Sequence, residues 1–331
     1  MRRKTLFPLL LLLLVPACAA SLLLGVSGLS ARELISAILS RETSSRAYLI
    51  LVHIRLPRLL GALTAGMRLA ASGCILQSVL GNPLASPSVI GVNSGAGLAA
   101  LLAMLLAPRS FAAVPPAAFV GALAAALLVF AISTLAGASR STLILSGVAV
   151  STLLGALMDA LVVIFPDAAV NRSSFAIGGF EAVTLERLAA VAPMAAAGLF
   201  LALLLLPELS ILSMGEEPAR AVGLRAGLFR LVFLTLAALL AACAVSLCGL
   251  VSFVGLIAPH TARLLCPRDG RARLPAAALI GALLCTVCDL AARLLFAPYE
   301  LPVGVLLSLL GVPFFLILLL SQKRRNRHDL A

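Results

Sequence analysis

The chain has 331 residues, of which 62% are hydrophobic and 11% charged, and it carries a net charge of +12. A soluble domain is nearer half apolar and a quarter charged, so at a mean hydropathy of +1.15 a water-soluble globule is excluded. The basic residues are scattered between apolar runs and form no basic face or stacking platform, so nucleic acid is not the expected partner. A polytopic, all-α membrane protein in contact with lipid remains, because a helix in lipid satisfies its own backbone.

At about 20 residues per crossing, hydropathy predicts about ten transmembrane helices. They fall at roughly 6–26, 56–80, 88–107, 115–136, 142–164, 188–206, 229–248, 250–266, 275–295 and 302–320. The first opens with "MRRKTLFPLLLLLLVPACAAS" and a lipobox-like "VPAC" at Cys18. Pro16 suits a cleavage site poorly and the apolar run continues through Leu24, so an uncleaved first span is expected. The polar stretch 27–47, with "SARELISAIL", reads as an interfacial helix, and 165–187 reads as a second non-membrane stretch.

The second and third spans enclose "GNPLASP". Pro83 and Pro87 remove amide donors, and Asn82 offers a polar group to the freed backbone. Broken helix at membrane depth is tolerated only inside protein or beside a water-filled cavity. Charges within spans are few. Arg68 sits midway along the second and Asp159 in the fifth. Asp289 and Arg293 stand i, i+4 in the ninth with the acid first, the order that suits a helical ion pair; a structural clamp and a functional pair are both open readings. The seven cysteines lie mostly in apolar runs, where Cys acts as a small hydrophobe. The Cys285–Cys288 spacing reads as packing, and no metal or cofactor is expected. His260, beside Pro259, reads as a hydrogen-bonded structural group.

After the sixth span comes "SMGEEPARAVGLRAG", residues 213–227, a charged island bounded by Gly215 and Gly223. Lys and Arg collect on the cytoplasmic side of membrane proteins. With the N-terminus inside, fifteen of the 25 basic residues fall on inside segments, nine fall outside, and Arg68 lies within a span. Both termini and the charged island are therefore expected in the cytoplasm. With no Trp, Tyr48, Tyr299 and the Phe residues supply any aromatic belt. The only lysines, Lys4 and Lys323, follow no GxxxxGK loop, so an ATP-driven process needs another chain to hydrolyse ATP.

The stretch "RLPRLLGALTAGMRLAASGCILQSVLGNPLASPSVIGVNSGAG" resembles the FecCD-type permease family of ABC importers for iron-siderophore, haem and cobalamin. "LILSGVAVS" (143–151), "GGF" (178–180), "GEEPARAVGL" (215–224), "GLVSFVGLIAPHTARLL" (249–265), "DLAAR" (289–293) and "ELPVGVLLSLLGVPFFLILL" (300–319) follow in the family's order, so the resemblance spans roughly residues 50–320. It implies a single transmembrane permease domain over 1–331, with cytoplasmic segments at 1–5, 207–228 and 321–331. It also implies a second permease chain, identical or a paralogue, two copies of an ATP-binding cassette subunit and an extracytoplasmic substrate-binding protein.

By the same resemblance, Arg55, Arg58 and Arg293 are the outer arginines that meet acidic residues of the binding protein. Gly215, Glu216, Glu217, Ala219, Arg220 and Gly223 belong to the coupling helix that contacts the ATPase. Arg140 and Ser141, in "GASRST", fall where the family places its cytoplasmic gate. Two positions depart from the pattern. Arg68 replaces a small or apolar residue, and is expected to face an internal carboxylate, Asp159 being one candidate, or an anionic substrate. Gly270 stands where the family often has His. The expected function is the pore of an iron-chelate importer working by alternating access, with no catalytic chemistry on this chain. A stand-alone ion-coupled transporter is the alternative, weakened by the scarcity of intramembrane carboxylates.

Overall fold

The computed structural model describes residues 3–25, 29–30, 32–33, 36, 45–107, 110–137, 140–167, 173, 175–267 and 269–328. The regular structure within them is helical. The principal helices are α1 (Arg3–Leu23), α2 (Leu56–Leu80), α3 (Val92–Leu106), α4 (Val114–Leu135), α5 (Arg140–Ile164) and α6 (Leu185–Leu204). They continue with α7 (Leu206–Leu212), α8 (Glu216–Ala221), α9 (Ala226–Cys248), α10 (Val254–Leu265), α11 (Gly270–Leu294) and α12 (Val303–His328). A short helical turn, Arg46–Ile50, and a π-helical stretch, Leu51–Arg55, lead into α2.

Among the described residues, seven helices are long and apolar enough to cross a membrane. The ten expected spans map onto α1 to α6, α9 and α10 to α12, but three of them differ from a full crossing. The α3 helix and the apolar part of α12, Val303–Leu318, are shorter apolar helices. The predicted span 250–266 is a half-span. Its helix, α10, has 12 residues, about 18 Å at 1.5 Å per residue, against a hydrocarbon core of about 30 Å. Residues 249–253, which precede it, are not helical. The predicted 27–47 helix lies largely outside the described residues. Its start is visible: Ser30 and Glu33 form a reciprocal capping box, with Ser30 N–H donating to Glu33 Oε2 at 2.7 Å and Glu33 N–H to Ser30 Oγ at 3.3 Å. Those bonds hold the exposed Glu33 carboxyl below its ordinary value.

Helix α2 is the hub, packed against α9, α10 and α11. The span containing it and α9 are each 78% buried over their apolar windows, whereas α1, α5 and α6 are 17%, 11% and 22% buried. Without a hydrophobic force between helices in lipid, close contact needs small residues, and α2 supplies them. Gly66 meets Gly281 of α11, and Gly73 meets the Gly255 carbonyl of α10. Gly95 of α3 meets Gly121 of α4 in the same way. Beside Gly73, Ser72 Oγ donates to the Ala237 carbonyl of α9 at 2.6 Å. The inner helices are thereby fixed backbone to backbone, and the outer ones present apolar side chains to their surroundings.

Candidate functional site

The helix breaks carry the first site. After α2 the chain turns at Gly81. Asn82 Oδ1 accepts the Leu84 N–H at 2.9 Å, so the side chain satisfies backbone that Pro83 releases. A 3-10 turn, Pro87–Ile90, then leads into α3. Facing it, residues 249–253 are held by Leu250 N–H to the Phe175 carbonyl, 3.1 Å, and Gly179 N–H to the Cys248 carbonyl, 2.8 Å. Phe253 adopts a left-handed backbone, φ 65°, a conformation that costs of order 1–3 kcal/mol outside glycine. Its ring packs over Gly311 of α12.

Three cavities, of about 350, 150 and 600 Å³, surround these breaks. They share Asn93, Ala176, Leu250 and Ser252 in their walls, and Ser86, Ser88, Ser94 and Ser308 add further polar groups. None of the described residues lining the three is charged. The α5 and α12 faces beside them are uncovered, with Leu145, Leu153, Leu309 and Ile317 all more than half exposed. The result is a neutral, hydroxyl-bearing face that is open on one side. Sequence reading found the break but not these serines and Asn93, because a lone Ser in a membrane helix has the same signature as a packing residue.

At one end of the bundle, hereafter the arginine end, Arg55, Arg58 and Arg293 line a single cavity of about 300 Å³ together with Glu300. The three were expected as exposed charges, and here the structure differs: their exposures are 4%, 5% and 4%. Each is consumed by internal partners. Arg58 Nε donates to both Asp289 oxygens at 2.9 and 3.2 Å, and Nη1 to Glu300 Oε2 at 2.6 Å. Arg58 Nη2 lies 3.6 Å from Glu181. Arg293 Nε pairs with Asp289 Oδ2 at 3.1 Å, the i, i+4 contact read from sequence. Arg293 Nη2 also donates to Ser21 Oγ at 2.7 Å, and Arg55 Nη1 to the Leu22 carbonyl at 2.7 Å. The network staples the end of α1 to α2 and α11. Buried cations in a membrane helix need such partners, so burial and pairing go together. Glu181 and Glu300 were missed in their role, although they directly follow "GGF" and open "ELPVG".

Arg68 is 6% exposed. Its Nη1 is buried without a hydrogen-bond partner. The expected pairing with Asp159 is not formed: Asp159 is exposed on α5, a helix that packs on α3 and α4. Arg68 is not among the residues lining the three cavities at the helix breaks. An unpaired buried cation is a stability liability. Arg68→Met is expected to raise the melting temperature in neutral detergent, by the equivalent of ~1–4 kcal/mol, as when buried ionic groups give way to apolar ones of similar volume. Calorimetry or a thiol-reactive dye melt checks it. Of the expected gate residues, Arg140 opens α5 with its side chain outside the described residues, and Ser141 is exposed beside it.

The opposite end carries the charged island. Gly215 (φ 121°) precedes α8 and Gly223 (φ 83°) follows it. Gly223 N–H donates to the Arg220 carbonyl at 2.9 Å and Leu224 N–H to the Ala219 carbonyl at 3.0 Å. Those two bonds are a Schellman stop, which needs a left-handed residue where Gly223 stands. Glu216 and Glu217 occupy the first turn, where the helix dipole favours acids. Glu216 Oε1 pairs with Arg230 Nη1 of α9 at 2.9 Å, and Oε2 lies 3.5 Å from Arg220 Nη2. Ala219 is fully buried. The short helix is thus anchored to α9 by Glu216 and Ala219, leaving Glu217, Arg220, Met214 and Val222 exposed. Gly270, the other departure, lies against α7, where a Cβ would stand 2.6 Å from Ser210 Oγ.

Residues 10–321 match the FecCD transport family. The chain is 37% identical to the Fe(3+)-citrate import system permease protein YfmE of Bacillus subtilis (strain 168), covering 84% of each chain. It is 36% identical to the hemin transport system permease protein HmuU of Yersinia pestis, covering 96% of each. Identity is 39% to the cobalamin import system permease protein BtuC of Halobacterium salinarum, over 84% of this chain and 75% of the relative. A solved structure assigned to the metal-chelate type of ABC transporter, in an inward-facing conformation, superposes with a TM-score of 0.83 at 30% identity, covering 97% of this chain and all of that one. The chain belongs to the FecCD transport family and is a multi-pass, membrane-spanning permease of the ABC-importer kind.

Proposed function

We propose that this permease forms one half of the translocation path for a metal chelate, with ferric siderophores foremost and haem or the cobalt chelate cobalamin as the other candidates. The observation that carries this reading is the neutral wall of hydroxyl and amide groups at the helix breaks, open along α5 and α12. A second permease chain, identical or a paralogue, closes that side. Its lack of charge suits a bulky cargo whose metal is already wrapped by its own ligands, and the relatives named for iron citrate, hemin and cobalamin support it. Both termini and α8 face the cytoplasm, which the bias of basic residues supports. ATP is hydrolysed by two ATP-binding subunits, since the sequence holds no P-loop. An extracytoplasmic binding protein docks at the arginine end, where its acidic side chains compete with Glu181 and Glu300 for Arg58. Arg140 and Ser141 serve the gate at the cytoplasmic end of α5.

Within this scheme α8 is the lever, and its exposed residues meet the ATPase while Glu216 and Ala219 hold it to α9. Glu217→Lys is the discriminating substitution, because Glu217 is exposed whereas reversing Glu216 would also break the Arg230 pair. Uptake of a labelled ferric chelate by proteoliposomes of the full transporter is expected to fall by about tenfold, the equivalent of ~1.4 kcal/mol of lost coupling, with the melting temperature of the permease unchanged. Uptake at the parental rate would remove α8 from the ATPase contact. Transport by the permease alone, under an ion gradient without ATP, would overturn the importer reading itself.

A further inference from the structure

Among the described residues, Phe253 alone outside glycine has a left-handed backbone. It is also the N-cap of α10, and its side chain makes no capping hydrogen bond. That position ordinarily takes Ser, Thr, Asp, Asn or Gly. A phenylalanine there breaks two local rules at once and gains neither a cap nor an easy backbone. Such residues persist only where their surroundings hold them, and they cluster at ligand clamps and switches.

What the unusual turn achieves is the placement of the ring. It sets the ring on α12, over the buried Gly311. Gly311 is a socket for it, because an added Cβ there would overlap both the ring and the Phe253 Cβ. On the same face of α12, one turn before the socket, Ser308 lines the cavity of about 600 Å³. One turn beyond it, Phe315 lines the cavity of about 350 Å³, whose wall includes Phe253 itself. Ser252, the preceding residue, borders both. Along α12 the ring therefore stands between the two spaces.

The two spaces lie toward opposite ends of the bundle. Helix α12 starts just after Glu300 of the arginine network, so Ser308 is on the arginine-end side of the ring. The smaller cavity includes Leu84 and Ser86, which follow the end of α2 remote from Arg58. We propose that Phe253 is a plug between them, seated on Gly311 when the cavities are separate and withdrawn when cargo passes. The proposal rests on the reading of these cavities as the path. An apolar ring suits the task, since a hydrophobic constriction closes a channel by excluding water.

The test reads access from each side. Six of the seven cysteines are buried and Cys18 is half-buried, so every variant carries Cys18→Ala to lower the background. Ser308→Cys then reports the larger cavity and Ser88→Cys the smaller. The full transporter is treated with a membrane-impermeant methanethiosulfonate in spheroplasts, which expose one face, and in inverted vesicles, which expose the other. Ser308→Cys is expected to react from the arginine-end face, and Ser88→Cys from the opposite face. Phe253→Gly removes the ring, and glycine accepts the left-handed backbone, so the fold is kept. The open form of a two-state element is ordinarily about 0.1–10% populated, so permanent opening should speed the reaction of Ser88→Cys from the arginine-end face by about tenfold or more. Phe315→Ala, which trims another ring of the same cavity, should leave that rate unchanged. An unchanged rate in Phe253→Gly, or equal opening by Phe315→Ala, would overturn the plug alone. A Ser308→Cys thiol that reacts from neither face would remove the path reading and the plug with it.

Discussion

Replacing Gly73 with valine is expected to abolish recovery of folded permease. Gly73 lies on the hub helix α2, and a Cβ there would overlap the carbonyl of Gly255 on α10. The obstacle is main chain, which no rotamer change can move aside. Nor can α2 retreat, because Ser72 holds it to α9 through the Ala237 carbonyl and Gly66 meets Gly281 of α11 on another side. Overpacking of ordinary cores costs about 1–3 kcal/mol and more where the backbone must shift. Here three helices would have to separate together, so the loss is expected at the upper end of that range or beyond. Gly227→Val supplies the contrast: nothing lies within 4 Å of its added Cβ, and it stands exposed in the first turn of α9, away from the hub contacts and from the α5 and α12 faces. Monodisperse yield after size exclusion should collapse for the first and match the parent for the second. Comparable yields would show that α2 and α10 are not held at backbone contact.

Asp289→Asn has the second largest expected effect. Asp289 is 1% exposed and pairs with both Arg58 and Arg293. Without its charge, Arg58 keeps Glu300 and Glu181, but Arg293 retains only Ser21 and backbone partners. Removing one partner of a buried ion pair costs about 3–5 kcal/mol, mainly because the other charge is left buried and uncompensated. The double variant Asp289→Asn with Arg293→Met removes that orphan charge and should recover much of the lost melting temperature, as a double-mutant cycle would record. Equal losses in the single and double variants would mean that the pair is not the source of the effect.

The helical architecture was readable because ten apolar runs of the right length leave few alternatives in lipid. The α10 half-span was not, since hydropathy registers apolar residues whether or not they are helical. Glycines at 215 and 223 were visible as brackets, and the Schellman stop gives the second one its physical reason. The arginine end was legible in part. Its three cations could be picked out, yet their burial depends on Glu181, Glu300 and Ser21, which are distant in sequence. Opposite charges in separate loops carry no local periodicity that would pair them. Arg68 was noticed as an anomaly, and it stays one within the polypeptide: its proposed carboxylate partner lies on the wrong helix.

The segment 249–253 has a consequence for how cargo range changes over time. Where a channel lining is made of peptide groups held by other peptide groups, exchanging one side chain for another leaves that part of the lining unaltered. An alanine scan would report on it mainly at Gly249, whose φ of 68° strains any other residue, and at Phe253, whose ring packs over Gly311. Differences in what such a wall admits must then arise at the serines and Asn93 that border it, or in the partner that delivers the cargo, while the break itself persists as shared framework.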